Sequence, residues 1–299
     1  MSFCFCACPV LHSLLFCLAA HIFCSTGTFY VLQGPVHRWP LEEDALDVGS
    51  AATKYHGTLK QHGGGDPGGG LLAGGGMAFV GVSANNGDYL DLGDGFRFAA
   101  TAGVTVAAWV RADAPVGGTG RLLSLLDASY DNTISLSAYD ATNGKGRARF
   151  YITNGGTYND LLITPDVDAP RFFGAEGEWA HLAATADADG LMRLYRDGAT
   201  HPTWANADGQ APNPESITYQ YAAVGRQRGR NNNYFDGAIR DVRLYARALD
   251  ETELALIVIV SAPTANPTAS PTDSPTDSPT TAPTAAPTTS PTAAPTTSP

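Results

Sequence analysis

The sequence predicts an all-β fold, a two-sheet antiparallel sandwich with a disordered Pro/Thr-rich tail. Three observations carry this: short apolar runs that alternate with period two, glycine turns between them, and almost no helical periodicity. Val104-Thr-Val-Ala-Ala-Trp-Val110 sets Val104, Val106, Ala108 and Val110 on one face and Thr105, Ala107 and Trp109 on the other. Further strands are expected at Arg147–Ile152, Trp179–Ala186, Leu191–Arg196, Tyr219–Val224 and Ile239–Tyr245. Asp189-Gly190 and Asp197-Gly198 give hairpin turns beside the Leu191–Arg196 run. Helical character is confined to one turn, Asp250–Leu256, with Asp250 placed to cap it. Many short strands over about 220 residues make a sandwich.

Charge and cysteine divide the chain into three. Residues 1–25 hold no Asp, Glu, Lys or Arg and all five cysteines, Cys4, Cys6, Cys8, Cys17 and Cys24. The apolar stretch Leu11–Phe23, ending among Ala19, Ala20 and Ser25, reads as a signal peptide, although no basic residue precedes it. The CxCxC spacing then belongs to a targeting segment, and no other cysteine exists to complete a metal site. Residues 26–260 carry 27 acids and 18 bases, a formal charge of −9. That balance argues against nucleic acid, which needs a basic face. The run Leu256–Val260 is far too short to span a membrane, so none is expected after signal cleavage. Localisation is expected to be secreted, at the cell surface or in a wall.

Residues 261–299 form a spacer. From Pro263 a proline falls every four residues and each but the last is followed by threonine. Such a segment has no apolar face to bury and favours an extended, polyproline-like chain. Its Ser/Thr density suits O-glycosylation. The glycine run Gly63–Gly76 is read as a flexible loop, since no GK[ST] follows it.

The middle of the chain resembles the laminin G-like, concanavalin A-like lectin/glucanase jelly-roll family. The landmarks fall in the family's order: His37-Arg-Trp-Pro-Leu41 with Asp47 and His56-Gly57, then Asp88-Tyr-Leu-Asp-Leu-Gly93, then Val104–Arg111. Glu178-Trp-Ala-His-Leu-Ala183, Leu194-Tyr-Arg-Asp-Gly198 and Phe235-Asp-Gly-Ala-Ile-Arg-Asp-Val-Arg-Leu-Tyr245 follow, with Ala248-Leu249 and Glu253-Leu254 after them. The resemblance implies a jelly-roll sandwich and binding of glycans or extracellular-matrix or cell-wall components. Two departures stand out: Ala238 occupies a place where the family often has cysteine, and Arg240 one where its calcium-binding branch often has aspartate. Arginine cannot coordinate a cation. Structural calcium would need acidic loops such as Asp127–Asn132 or Tyr158–Asp160, and no metal ligand is assigned.

No catalytic residue is assigned. Retaining glycoside hydrolysis needs two carboxylates about 5–5.5 Å apart. The acids of Glu42–Asp47 and the pair Glu176 and Glu178 lie in loops, and GxSxG and HExxH are absent. Trp109, Trp179 and His181 are read as strand residues. The expected ligand surface is the loop Arg226–Tyr234, whose Arg226, Arg228, Arg230, Asn231, Asn233 and Tyr234 combine forked cations with amides. Tyr158 and Asn159 are a second candidate. The reading is a non-enzymatic carbohydrate- or matrix-binding module. The alternative is an accessory or catalytic domain of a polysaccharide-degrading glycoside hydrolase.

With no cysteine after Cys24, the domain must draw its stability from its core. Residues 26–260 should therefore unfold at the same temperature with and without reductant in a calorimetric scan; a large loss under reductant would contradict this.

Overall fold

The computed structural model describes residues 22–25, 28–31 and 33–263, apart from 74, 82–85, 101, 114–118, 140–146, 156, 164–176, 206–216 and 228–233. The chain divides at Pro263, and the described residues all belong to Met1–Pro263. Most of the expected signal segment and nearly all of the Pro/Thr spacer lie outside the described residues; Ile22–Ser25 pairs with Thr28–Val31.

Two antiparallel sheets make the sandwich. The seven-stranded sheet runs Thr157–Ile163, Arg147–Asn154, Thr133–Tyr139, Thr119–Leu126, Tyr221–Val224, Asp88–Asp91 and Thr58–Gln61. The eight-stranded sheet runs Ala199–Ala205, Met192–Arg196, Trp179–Ala186, Val104–Ala112, Gly237–Tyr245, Met77–Phe79 and Gly70–Leu71, with His37–Trp39 also on Gly237–Tyr245. The expected jelly-roll sandwich is observed. Its core is filled from alternate positions of both sheets, among them Trp39, Phe79, Leu90, Val106, Phe150 and Leu244. Asp197 and Gly198 both take positive φ, 52° and 82°, the geometry of a tight hairpin turn.

The closing strand Gly237–Tyr245 organises the eight-stranded sheet. Asp241 sits in it at φ 51°, in a bulge between Arg240 and Arg243. Before the bulge the strand's free edge pairs with Met77–Phe79, and after it with His37–Trp39. Asp241 is 2% exposed. Its carboxylate accepts from Arg38 Nε at 2.6 Å and from Arg243 Nη2 at 2.6 Å. Burial raises its pKa, but Arg243 and Arg38 outweigh that and hold it below the usual 3.8.

A second carboxylate fixes the opening loop. Asp47 accepts from the backbone N–H groups of Arg38, Gly49 and Tyr55 and lies 2.7 Å from His37 Nδ1. Burial raises its pKa too, and these hydrogen bonds more than offset it. The His37 ring packs among Trp39, Tyr55 and Phe96.

Three expectations need correction. Tyr219–Val224 is two strands: Ile217–Tyr219 pairs with Phe96–Phe98, and Tyr221–Val224 belongs to the seven-stranded sheet. The chain changes partners at Gln220, which alternation alone does not reveal. The helix is longer than one turn, Glu251–Ser261. Its β-branched end is helical because Leu254 and Ile257 pack on Ala107, Ala183 and Tyr195 of the eight-stranded sheet, and tertiary packing overrides propensity. Asp250 caps it in a reciprocal capping box with Glu253, as expected. The glycine run is pinned as well: buried Asp88 accepts from Gly69 N at 2.6 Å and Gly68 N at 3.3 Å, and Gly70–Leu71 forms a strand. Among the described residues no helix is long and apolar enough to cross a membrane.

His181 lies on the outer side of the eight-stranded sheet, 1% exposed, edge-on to Trp109 at 5.3 Å. Burial pushes its pKa down to about 3, and the Arg243 charge acts in the same direction. The unfolded chain therefore takes up this proton at about pH 6.5, while the folded one refuses it until about 3. Stability should fall steadily as pH drops through that window, with Asp47 and Asp241 adding to the loss below 3.8. Calorimetry of a His181→Leu variant should show a shallower fall between pH 6.5 and 4; an unchanged slope would assign the effect elsewhere.

Candidate functional site

The two sheets have different outer faces. On the eight-stranded sheet, helix Glu251–Ser261 buries Ala107, Ala183, Tyr195 and Tyr245. Trp109 Nε1 donates to Ser261 Oγ at 2.9 Å, so Trp109 is core-like, as expected. Trp179 is half-buried with the Arg111 guanidinium 5.4 Å from its ring centre.

The outer face of the seven-stranded sheet is polar. Ile134, Leu136, Phe150 and Ile152 point into the core, so Thr133, Ser135, Ser137, Arg149, Tyr151 and Thr153 point out. Register then builds rows across the sheet. One row joins Asp91, Ala223, Ser124, Ser135 and Tyr151. The row on one side joins Tyr221, Leu126, Thr133 and Thr153. On the other side lie Tyr89, Ser137 and Arg149. Neighbouring rows are about 7 Å apart, two residues along a strand.

Arg121 spans this face. Its guanidinium donates to Ser135 Oγ at 3.3 Å, to Ser137 Oγ and to Gln227 Oε1 at 3.1 Å. Arg149 lies 5.1 Å from the Tyr151 ring centre, and Lys60 donates to Asp91 at 2.6 Å. Ser124, 0% exposed, and Thr153, 4% exposed, have hydroxyls without a hydrogen-bond partner. Buried hydroxyls are ordinarily paired. Arg121, Ser124, Thr133, Ser135, Ser137, Thr153 and Gln227 are all buried, so the groups of this face that a ligand can reach include the half-buried Tyr89, Arg149 and Tyr151.

The expected loop adjoins this face. Arg226 follows the strand Tyr221–Val224 by two residues and is 6% exposed. It is flanked by Tyr89 and Tyr234, its Cζ 4.6 and 5.2 Å from their ring centres. The expectation of arginines projecting from a rim therefore changes for Arg226: its charge is held flat between two aromatic rings. Arg228, Arg230, Asn231 and Asn233 lie outside the described residues. Tyr158, Asn159 and Asp160 fall in the edge strand Thr157–Ile163 and not in a loop; their backbone registers with Thr153, Ile152 and Tyr151.

The other polar candidates are structural. Asp127 accepts from Asn132 Nδ2 at 2.6 Å, Asn132 N at 3.2 Å and Ser129 Oγ at 2.9 Å, so its carboxylate closes a turn. Among the described residues no group of three His, Cys, Asp or Glu converges as a metal site. Glu42 is paired with Arg240 at 2.6 Å. Sequence reasoning missed Arg121, Ser124, Ser135, Ser137, Tyr151 and Gln227. A signal was present: in Thr133-Ile-Ser-Leu-Ser137 the hydroxyl residues alternate strictly with apolar ones.

The family described as the concanavalin A-like lectin/glucanases superfamily matches residues 84–255. No curated protein matches the chain. Among solved structures the chain is similar to domain 4 of AbnA, a GH43 extracellular arabinanase from Geobacillus stearothermophilus in complex with arabinotriose. Identity is 17% and the TM-score 0.54, covering 76% of this chain and 99% of that one. A structure described as HCR/D-Sa-GBL1/C matches at 11% identity and TM-score 0.51, over 77% of this chain and 52% of that chain. The botulinum neurotoxin serotype C1 binding domain matches at 12% identity and TM-score 0.47, over 77% and 52%. The chain thus spans about half the length of the latter two, and at these identities the likeness is one of fold.

An unpaired buried hydroxyl is destabilising, so its removal should help the fold. Ser124→Ala and Thr153→Val should each leave stability unchanged or raise it by about 1 kcal/mol in urea unfolding. A loss above that size would mean that these hydroxyls hold the sheet together.

Proposed function

The chain belongs to the concanavalin A-like lectin/glucanase superfamily, and on that footing we propose that it is a secreted or cell-surface carbohydrate-binding module. It takes its ligand on the outer face of the seven-stranded sheet. The observation that carries this reading is the polar outer side of that sheet, where the half-buried Arg149, Tyr151 and Tyr89 lie over a buried network in which Arg121 bonds Ser135, Ser137 and Gln227. Arg226, beside Tyr89 and Tyr234, gives the Gln227 end of this face a positive charge in an acidic domain, and in the sequence Arg228 and Arg230 follow it. Carboxylate or sulfate groups of a glycan fit there through forked hydrogen bonds. The apolar segment 1–25 supports export, and the proline-threonine repeat supports a spacer that holds the domain away from its attachment. Glycans of an extracellular matrix or cell wall are the partners this implies. The arabinotriose in AbnA domain 4 is consistent with a sugar ligand.

A second reading, an accessory domain of a polysaccharide-degrading enzyme, is favoured by the same neighbour, which is part of an arabinanase.

A glycan array of the domain, run with and without calcium, tests the main reading. Neutral and uronic-acid or sulfated oligosaccharides should be retained. Replacing Arg226, Arg228 and Arg230 together by serine should lower affinity for the charged ones by roughly tenfold or more at low salt, and less at physiological salt. Circular dichroism would confirm that the β fold survives. Unchanged affinity in the folded triple variant would remove the basic end from the site.

A further inference from the structure

We infer that Asn86–Gly87 is a site of non-enzymatic modification, where the asparagine cyclises on the next backbone nitrogen and converts to aspartate and isoaspartate. The inference stands apart from the carbohydrate-binding reading and does not depend on it.

The fold supplies what the chemistry needs. Ring closure requires an asparagine side chain free to turn on its own backbone, and a following residue with no Cβ in the way. Asn86 is exposed. Among the described residues neither its side-chain amide nor the Gly87 N–H has a hydrogen-bond partner. Glycine at 87 is demanded by packing, since a Cβ there would lie 2.7 Å from Cγ of Tyr234. The contact that requires glycine therefore keeps the susceptible pair in place. Gly87 is otherwise well fixed: its carbonyl accepts from His62 N at 3.1 Å, and Asp88 N donates to Val80 O at 3.1 Å.

The reaction needs only water. The Gly87 nitrogen gives up its proton and forms a bond to Cγ of Asn86. The bond from Cγ to Nδ2 breaks, and ammonia leaves with that proton. Water then opens the cyclic imide at either carbonyl, giving aspartate or isoaspartate with no change in oxidation state. Either product places a new carboxylate beside Gly87, which packs on Tyr234, the ring whose centre lies 5.2 Å from Arg226 Cζ. The isoaspartyl form also lengthens the main chain by a methylene at that point.

A second pair of the same residues is built differently. Asn154 is half-buried at the end of the strand Arg147–Asn154 and registers with Thr157. Gly155 N donates to Asn132 Oδ1 at 2.9 Å, so the nitrogen that would attack is engaged. Asn132 is itself held by Asp127. Asn143–Gly144 lies outside the described residues.

The test incubates the full chain for weeks at neutral pH, then follows its peptides by mass spectrometry and labels isoaspartate with a protein isoaspartate methyltransferase. The Asn86 peptide should gain mass and label about fivefold faster than the Asn154 peptide, the factor that one net hydrogen bond supplies. In urea, where both pairs are unfolded, the two rates should match. Asn86→Gln should abolish the signal from its peptide, because the longer side chain closes a larger ring. Equal rates in the folded chain, or an Asn86 that converts only in urea, would overturn the inference. So would a difference of the same size that persists in urea, since the sequence and not the fold would then set it.

Discussion

The ion pair of Asp241 with Arg38 and Arg243 is the interaction on which the eight-stranded sheet depends. A carboxylate this deeply buried is costly unless its charge is met, and two guanidinium groups meet it at 2.6 Å each. One of these partners lies at the start of the domain and the other two residues beyond Asp241. The left-handed backbone at Asp241 produces the bulge that lets one strand edge serve two partners, Met77–Phe79 and His37–Trp39. Without it, a continuous ladder along that edge would exclude one of them. The opening strand brings Trp39 and His37 into the core, and Asp47 with them. The family-like sequence Ile239-Arg-Asp-Val-Arg243 thus has a mechanical reading: Arg240 holds Glu42, and Asp241 joins the two ends of the domain.

This closure also sets the chemistry of one outer face. Helix Glu251–Ser261 follows the closing strand and lies on the outer side of the eight-stranded sheet. It is tied there by Thr105, which accepts from Leu249 N and donates to Arg247 O, and by Trp109 through Ser261. Arg247 pairs with Glu253 through both guanidinium ends and so joins the strand's exit to the helix. An outer sheet face rich in alanine, at Ala107 and Ala183, suits a helix because small side chains allow close approach. The seven-stranded sheet has serine, threonine, arginine and tyrosine in the equivalent outward positions. A helix thus covers part of one sheet's outer side, and the outer side of the other sheet is rich in hydroxyls.

Much of the fold was legible in the sequence because its signals are local. The strand Trp179–Ala186 coincides with the expected run, and Asp197-Gly198 adopts the turn its residues favour. The length of the helix and the break at Gln220 were not legible, since each is decided by a partner distant in sequence. Ile257 is helical because of Ala107 and Ala183, and Tyr219 and Tyr221 separate because Phe96 and Leu126 lie in different sheets. The candidate site was legible only at its end. Arg226 stands out as charge in an acidic chain, whereas Ser124, Ser135 and Ser137 look like filler until register places them in rows with Arg121 across them. At Asp127–Asn132 the carboxylate closes a turn, and oxygen-rich sequence is common to cation loops and to side chains that close their own backbone.

The polar face departs from what stability alone would select. A sandwich of this size gains stability by pairing every buried polar group and relaxing every strained torsion, and both sheets depart from that: His181 Nδ1 and the Tyr245 hydroxyl, on the outer side of the eight-stranded sheet, also lack a hydrogen-bond partner, and Leu41 holds φ 58°. Ser124 and Thr153 keep buried hydroxyls unpaired, Tyr130 holds a ring on a left-handed backbone, and Arg226 places a charge between two tyrosines. The eight-stranded sheet has a left-handed residue of its own in Asp241, but there the cost is met inside the fold by two ion pairs. For Ser124 and Thr153 the hydroxyls have no hydrogen-bond partner. Oxygens this deeply buried are out of a ligand's reach, so a molecule on this face would meet the half-buried Tyr89, Arg149 and Tyr151 instead, and the unpaired hydroxyls are a cost borne by the sheet itself.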